Sequence, residues 1–345
     1  VDDARELARW ARLVTANRLI NLDPMTWTNT GQGGNTHGGA EFCTPAAQLA
    51  EAFDMLSIPD TRSGAVPLFV ELCAGLASVS LVLQGGPKAR PPVSRMGNKR
   101  GYAEAILWAC GLRQGQGARA FLWCEPDPGC RALLTAYGQP EILRQAAAII
   151  RGWADEEPRE LWERLKAEGP IKAASAGEVA RWSTLGVMSY RQGSPDSGGP
   201  VERYSDPQQI PGFLDSSPTF PAITVSPDAR DIDPWTVADA MGLTRLPAGT
   251  VAYADPPYRA TTGYGHDLPR AAVVAMARRW RDAGALVAVS EQEALPELMA
   301  EGWHAVDITS TRKGQKRTFS RQQREFLTMS EPPRWTPAEQ LGLFG

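Results

Sequence analysis

The residues best suited to chemistry are Ala254-Asp255-Pro256-Pro257-Tyr258, directly after the apolar run Thr250–Ala254. Two consecutive prolines fix the backbone and remove two N–H donors. What remains is a set of acceptors, the Asp255 carboxylate and nearby carbonyl oxygens, beside the flat face of Tyr258. Acceptors next to an aromatic face suit an exocyclic amino group on a planar base. If the apolar run is a strand, the segment sits at its carboxyl end, where open α/β sheets bind ligands. The plainer reading is a rigid loop with a capping Asp.

Other segments could work with it. In Leu68-Phe-Val-Glu-Leu-Cys-Ala-Gly-Leu-Ala-Ser-Val-Ser-Leu81, a strand runs into Glu71. A small-residue turn follows at Ala74, Gly75 and Ala77, and then a helix. Such a turn is a weak signal alone and a better one beside the first motif. Arg95-Met-Gly-Asn-Lys-Arg-Gly-Tyr102 opens another helix, with Gly97, Asn98 and Lys99 at its start. Glu41-Phe-Cys-Thr-Pro45 precedes the Glu71 strand and competes with the Gly97–Lys99 segment for the same role. Acids also close two further strands: Glu125 and Asp127 in Phe121-Leu-Trp-Cys-Glu-Pro-Asp127, and Asp228 in Val225-Ser-Pro-Asp-Ala-Arg-Asp231. Lone acids there are more often helix caps than ligands.

Asp-Pro-Pro-Tyr after an apolar strand resembles the catalytic motif of S-adenosylmethionine-dependent amino-methyltransferases. The following Arg259-Ala-Thr-Thr-Gly-Tyr264 is similar to Dam-like DNA adenine-N6 methyltransferases, including those of bacteriophages. The resemblance implies a Rossmann-like methyltransferase fold, S-adenosyl-L-methionine as cofactor and DNA as partner. Asp255, Pro256, Pro257 and Tyr258 would be catalytic, the target amino group donating to Asp255 and the Pro256 carbonyl while Tyr258 stacks on an extruded base. Glu71, Cys73, Ala74, Gly75 and Ser78 would receive the methionine part of the cofactor, with Ala77 where the family has its second glycine. Gly97, Asn98 and Lys99 resemble the segment that flanks the cofactor, although in the family it precedes the cofactor strand. Glu125 and Asp127 would meet the ribose, Asp228 and Ala229 the adenine ring. Thr261, Thr262, Tyr264, Arg312, Lys313, Lys316, Arg317 and Arg321 would contact DNA. The match spans roughly 40–330, of which only about forty residues are motif-like.

Positioning such residues requires alternating elements. Strands are expected at Pro67–Leu72, Ala120–Cys124, Ala222–Val225, Thr250–Ala254, Leu286–Val289 and Glu325–Met329. Helices are expected at Lys99–Leu112, Gly129–Tyr137, Glu141–Trp153, Arg159–Glu168, Arg270–Ala283 and Ala294–Glu301, with two more before residue 57. This alternation predicts an α/β fold with a mostly parallel sheet flanked by helices. Residues 192–219, rich in Gly and Pro, read as one long loop. The expected division is 1–137 for N-terminal helices and the cofactor half, 138–219 for an inserted helical and loop region that recognises the target, 220–330 for the catalytic half and 331–345 for a tail.

Composition narrows the alternatives. The 345 residues carry a net charge of −3, with 43% apolar and 22% charged residues, which excludes collagen-like, disordered and polybasic chains. Residues 87–103 and 311–324 contain no acid and together hold +11, leaving −14 for the remainder. An acidic body with basic strips is what local phosphate contacts require, although charge runs are also common on solvated loops. Five cysteines without C-x-x-C and three dispersed histidines argue against a disulfide framework and against a metal site. No run is apolar enough for a membrane span, and the first residues lack a signal-peptide pattern, so a reducing, cytoplasmic compartment is expected. The start at Val1 suggests a trimmed terminus, and the expected state is a monomer or weak dimer. No cysteine follows a proline, as base C5-methylation commonly needs, and neither G-x-x-x-x-G-K-[ST] nor G-x-G-x-x-G is present. Cytosine N4, another amino group, or a non-catalytic DNA-binding relative remain as alternatives.

Overall fold

A computed structural model describes residues 64–93, 98–188, 207–258, 268–312 and 324–335. The expected helices before residue 57, the Glu41–Pro45 segment, Gly97, Thr261, Thr262, Tyr264, Lys313, Lys316, Arg317 and Arg321 lie outside the described residues.

Seven strands form one sheet in the order β3-β2-β1-β4-β5-β7-β6. They are β1 Val66–Glu71, β2 Ala118–Cys124, β3 Ile223–Ser226, β4 Val251–Ala254, β5 Leu286–Glu291, β6 His304–Asp307 and β7 Phe326–Met329. The pairs among β1 to β5 are parallel, and β7 runs antiparallel between β5 and β6. The order reverses between β1 and β4, and that point in a doubly wound sheet leaves a crevice at the strands' carboxyl ends. The architecture is α/β and compatible with a Rossmann-like fold.

The core follows from strand parity. Leu68, Val70 and Leu72 join Leu122, Ala252 and Val287 in one buried cluster. Phe69 joins Phe121, Trp123, Val251 and Tyr253 in another. A parallel sheet with both faces covered needs such near-continuous apolar strands. Three helices start with the same device, an acidic N-cap followed by proline, whose missing N–H costs nothing at the first helical position. They are Pro128–Tyr137, capped by Asp127, Pro158–Ala167, capped by Glu157, and Pro234–Ala240, capped by Asp233.

Six expected strands are present, and the short edge strand β6 is additional, its sequence His-Ala-Val-Asp offering too little alternation to register. The expected helix Lys99–Leu112 is split into a 3-10 turn, Lys99–Gly101, and a helix, Ala103–Ala109. Helices Ala176–Met188 and Pro234–Ala240 were not anticipated. The expected loop 192–219 is corrected in its second half, where Pro207–Gln209 and Ile210–Asp215 are helical. Proline had signalled a breaker there, yet Pro211 sits in a first turn, where it favours a helix.

Between β2 and β3 the helices Pro140–Gly152, Ala176–Met188 and Ile210–Asp215 pack together. Leu143, Ala147, Ile150, Val179 and Trp182 join the hydrophobic cluster of Phe121 and Trp123, so this region shares the sheet's core. Trp182 presses on Gly129, where an added Cβ would lie 1.9 Å from the indole. Among the described residues, no helix is long and apolar enough to cross a membrane.

Candidate active site

The chain leaving β1 is held by both neighbouring strands: Leu72 N donates to Tyr253 O at 2.8 Å and Ala74 N to Cys124 O at 2.9 Å. Gly75, at φ 53°, and Ala77, at φ 49° and ψ 42°, then turn through left-handed conformations into the helix Ser78–Gly85. Ala77 is the one non-glycine residue with positive φ among those described. The glycine-like turn is therefore kept with alanine at its second position, and such strain persists only where the surroundings hold it.

Carboxylates supply the hold. Glu125 Oε2 accepts from Gly75 N at 2.8 Å, and its Oε1 accepts from Asp127 N at 3.0 Å. Glu71 Oε1 accepts from Ser80 N at 2.6 Å, while Trp123 Nε1 donates to Ser80 Oγ at 2.8 Å. Burial pushes the Glu71 carboxyl up to about 8 against the pull of its Ser80 hydrogen bonds. The Cys73 thiol is also pushed up, by burial and then by Asp255 and Glu125, so it is no ready nucleophile. A Cβ placed on Gly75 would meet nothing within 4 Å, so the turn presents an open side.

One strand across, β4 delivers Asp255 beside Lys99, whose Nζ lies 3.0 Å from Asp255 Oδ1 and 3.6 Å from Glu325 Oε2. The same ammonium sits 4.4 Å from the centroid of the Tyr258 ring. The Tyr258 hydroxyl donates to Glu325 Oε1 at 2.6 Å. Burial raises the Asp255 pKa, and Lys99 opposes it by charge and hydrogen bonding. Burial likewise pushes Glu325 up to about 7 and Glu291, at the end of β5, up to about 7. Glu71, Glu125, Asp127, Asp255, Glu291 and Glu325 thus lie at or just beyond the carboxyl ends of β1, β2, β4 and β5 and at the start of β7, with Lys99 held between Asp255 and Glu325.

Most of the expected site residues that lie among the described ones converge here. Glu71, Cys73, Ala74, Gly75, Ser78, Glu125 and Asp127 build the turn and its supports, and Asp255 to Tyr258 lie beside it. Lys99 joins the Asp255 carboxylate rather than the turn. Asn98 caps the 3-10 turn by accepting from Arg100 N at 2.8 Å, and Asp127 caps its helix by accepting from Cys130 N at 2.9 Å. Asp228, beyond β3, accepts from Arg230 N at 2.8 Å and pairs with the Arg230 guanidinium. Ala229 beside it is buried. The first basic strip uses part of its charge internally: Lys99 is buried, and Arg100 donates to Ala89 O at 2.8 Å and to Pro87 O. Arg312, near the start of the second strip, lies over the Tyr102 ring at 5.9 Å.

Glu325, Ser80 and Trp123 were not singled out from sequence. The available signal for Glu325 was an acid entering an apolar last strand, in Arg324-Glu-Phe-Leu-Thr-Met329. Among the described residues, no group of three or more His, Cys, Asp or Glu could hold a metal ion. A cleft of about 550 Å³ lies at the opposite ends of β4 and β5, lined by Thr250, Val251 and Leu286. The chain matches no protein-family model and no curated protein.

Proposed function

We propose that the protein transfers a methyl group from S-adenosylmethionine to the exocyclic N6 amino group of adenine in DNA. The observation that carries this reading is the juxtaposition, across the β1–β4 switch point, of the Glu71–Gly75 turn and the Asp255–Tyr258 segment. The open side at Gly75 allows close approach, and the surrounding carboxylates suit a ligand carrying positive charge. The Ala74–Ala77 turn, with Glu71 and Glu125 behind it, would hold the cofactor. When bound, S-adenosylmethionine supplies an electrophilic methyl group on a sulfonium.

The chain's own residues present the acceptor. Asp255 and the Pro256 carbonyl accept the two N–H bonds of the target amino group, leaving its nitrogen lone pair directed at the methyl. Lys99 opposes the effect of burial on Asp255, favouring its ionised, accepting form. With Lys99 over one face of the Tyr258 ring, the base stacks on the other. Such stacking is worth about 1–3 kcal/mol. The non-catalytic alternative is motivated by Ala77 and by the displaced Gly97 segment, and the left-handed turn kept at Ala77 speaks against the first of these motives.

The test is incubation of the protein with labelled S-adenosylmethionine and unmodified DNA, followed by mass spectrometry of the nucleosides. N6-methyl-2′-deoxyadenosine is expected. Label in cytosine would redirect the reading, and cofactor binding without any transfer would end it.

A further inference from the structure

Glu325 lies outside the Asp-Pro-Pro-Tyr motif, the Glu71–Gly75 turn and the basic strips, yet it is built into the centre of the site. It is 2% exposed, and its backbone is pinned on several sides. Its N–H donates to Thr309 Oγ1 at 2.8 Å, and its carbonyl accepts from Ile308 N at 2.9 Å. A side chain on so constrained a backbone is a fixed reference point. From it, Oε1 accepts the Tyr258 hydroxyl at 2.6 Å and Oε2 lies 3.6 Å from Lys99 Nζ.

We propose that Glu325 is a positioning residue of this site, which anchors Tyr258 by its hydroxyl and shares Lys99 with Asp255, so that it sets the plane on which the target base stacks. The proposal rests on the methyl-transfer reading. Its physical content is leverage. Tyr258 leaves the sheet on a loop, and two prolines restrain that loop only on one side of the ring. The bond to Glu325 fixes the far end of the ring against the last strand of the sheet. Lys99 then lies against both the ring and Asp255, so the stacking plane and the accepting carboxylate are set together. A tyrosine, rather than any flat side chain, is required because only the hydroxyl reaches Glu325.

The experiment uses the full chain with S-adenosylmethionine and an unmodified duplex oligonucleotide. It compares Glu325→Met, Glu325→Gln, Tyr258→Phe and the Met/Phe double variant for kcat, for KM and for cofactor affinity by calorimetry. Glu325→Met and Tyr258→Phe are each expected to lower kcat by up to about 100-fold, the scale of a misplaced reacting group. Cofactor affinity should stay within about threefold, because each variant leaves the turn intact. The double variant should lose less than the product of the two single losses, since both single variants break the Tyr258–Glu325 bond, while Tyr258→Phe also removes the hydroxyl's bond to Asp255 and Glu325→Met the carboxylate beside Lys99. Glu325→Gln keeps an acceptor for the hydroxyl and should recover most of kcat. Should Glu325→Met fail to fold, Tyr258→Phe removes the bond from its other end and carries the test. Wild-type kcat in Tyr258→Phe, multiplicative losses in the double variant, or parallel losses of cofactor affinity would each overturn the proposal. If the wild-type chain transfers nothing to DNA, it is instead the methyl-transfer reading that fails, and the proposal falls with it.

Discussion

Asp255 and Lys99 illustrate how burial and charge are balanced at a single pair. A carboxylate whose pKa burial raises is not held in place for stability, because its ionised form is disfavoured by the fold. Removing it should therefore spare the structure and remove the chemistry. Asp255→Ala is expected to melt near the wild-type temperature, with Lys99 still 3.6 Å from Glu325, and to lose at least about 100-fold in methyl transfer. Retention of most activity would take Asp255 out of its assigned role. Ala77 poses the converse case, a residue strained for the sake of the turn. Ala77→Gly should fold with stability within about 1 kcal/mol of wild type, because relief of φ strain offsets a lost buried methyl. Ala77→Val should cost more than about 2 kcal/mol, since a branched side chain tolerates the left-handed region poorly. Urea titration of the pair separates a strained turn from a relaxed one.

At the scale of elements, strands were read from sequence more easily than helices and connections. β1, β2, β4 and β5 are buried on both faces, so their apolar runs stand out against any neighbour. β6 alternates buried and exposed positions over only four residues at the sheet's edge, which no pattern of that length reveals. The helix Ala176–Met188 was missed because its buried positions include Arg181, Ser183 and Thr184, polar residues that spoil an apolar stripe. Arg181 is satisfied there by the Leu165 and Gly169 carbonyls and by Glu178, a tertiary arrangement that sequence spacing does not announce. Lys99 shows the same limit within the site. Its segment was visible, but its partner Asp255 lies 156 positions along the chain and meets it only through the sheet order. The contact of Trp182 with Gly129 yields a signed test. Helix propensity alone favours Gly129→Ala by about 1 kcal/mol. The clash, at 1.9 Å from the indole, should reverse that and destabilise by about 1–3 kcal/mol. A stabilised variant in chemical denaturation would mean that the helices between β2 and β3 do not dock on the sheet in this way.

For the whole molecule, the buried acids make a prediction about pH that runs against habit. Glu71 is pushed up to about 8, and Glu291 and Glu325 to about 7, above the ordinary carboxylate value of 4.5. Between pH 5 and 8 the folded chain therefore binds more protons than the unfolded one, and stability must fall as pH rises through that window. From pH 6 to pH 8 the loss from the three carboxyls together should be on the order of 5 kcal/mol, read as a lower melting temperature at the higher pH. A flat or rising profile would mean that these carboxylates are ionised in the folded state. A cationic ligand should counter the effect by favouring their ionised forms, so its binding should release protons, measurable in buffers of differing ionisation heat.

The turn at Gly75 has one further consequence, which concerns how different versions of this molecule could be assembled. Glu125 grips Gly75 N with one oxygen and Asp127 N with the other, and Asp127 in turn caps the helix on whose Gly129 Trp182 rests. Turn, cap and the helices between β2 and β3 are thus dimensioned against one another like parts cut to a common gauge. Grafting a foreign segment between β2 and β3 would therefore have to reproduce the footprint of Trp182, or the graft would displace the turn as well as itself.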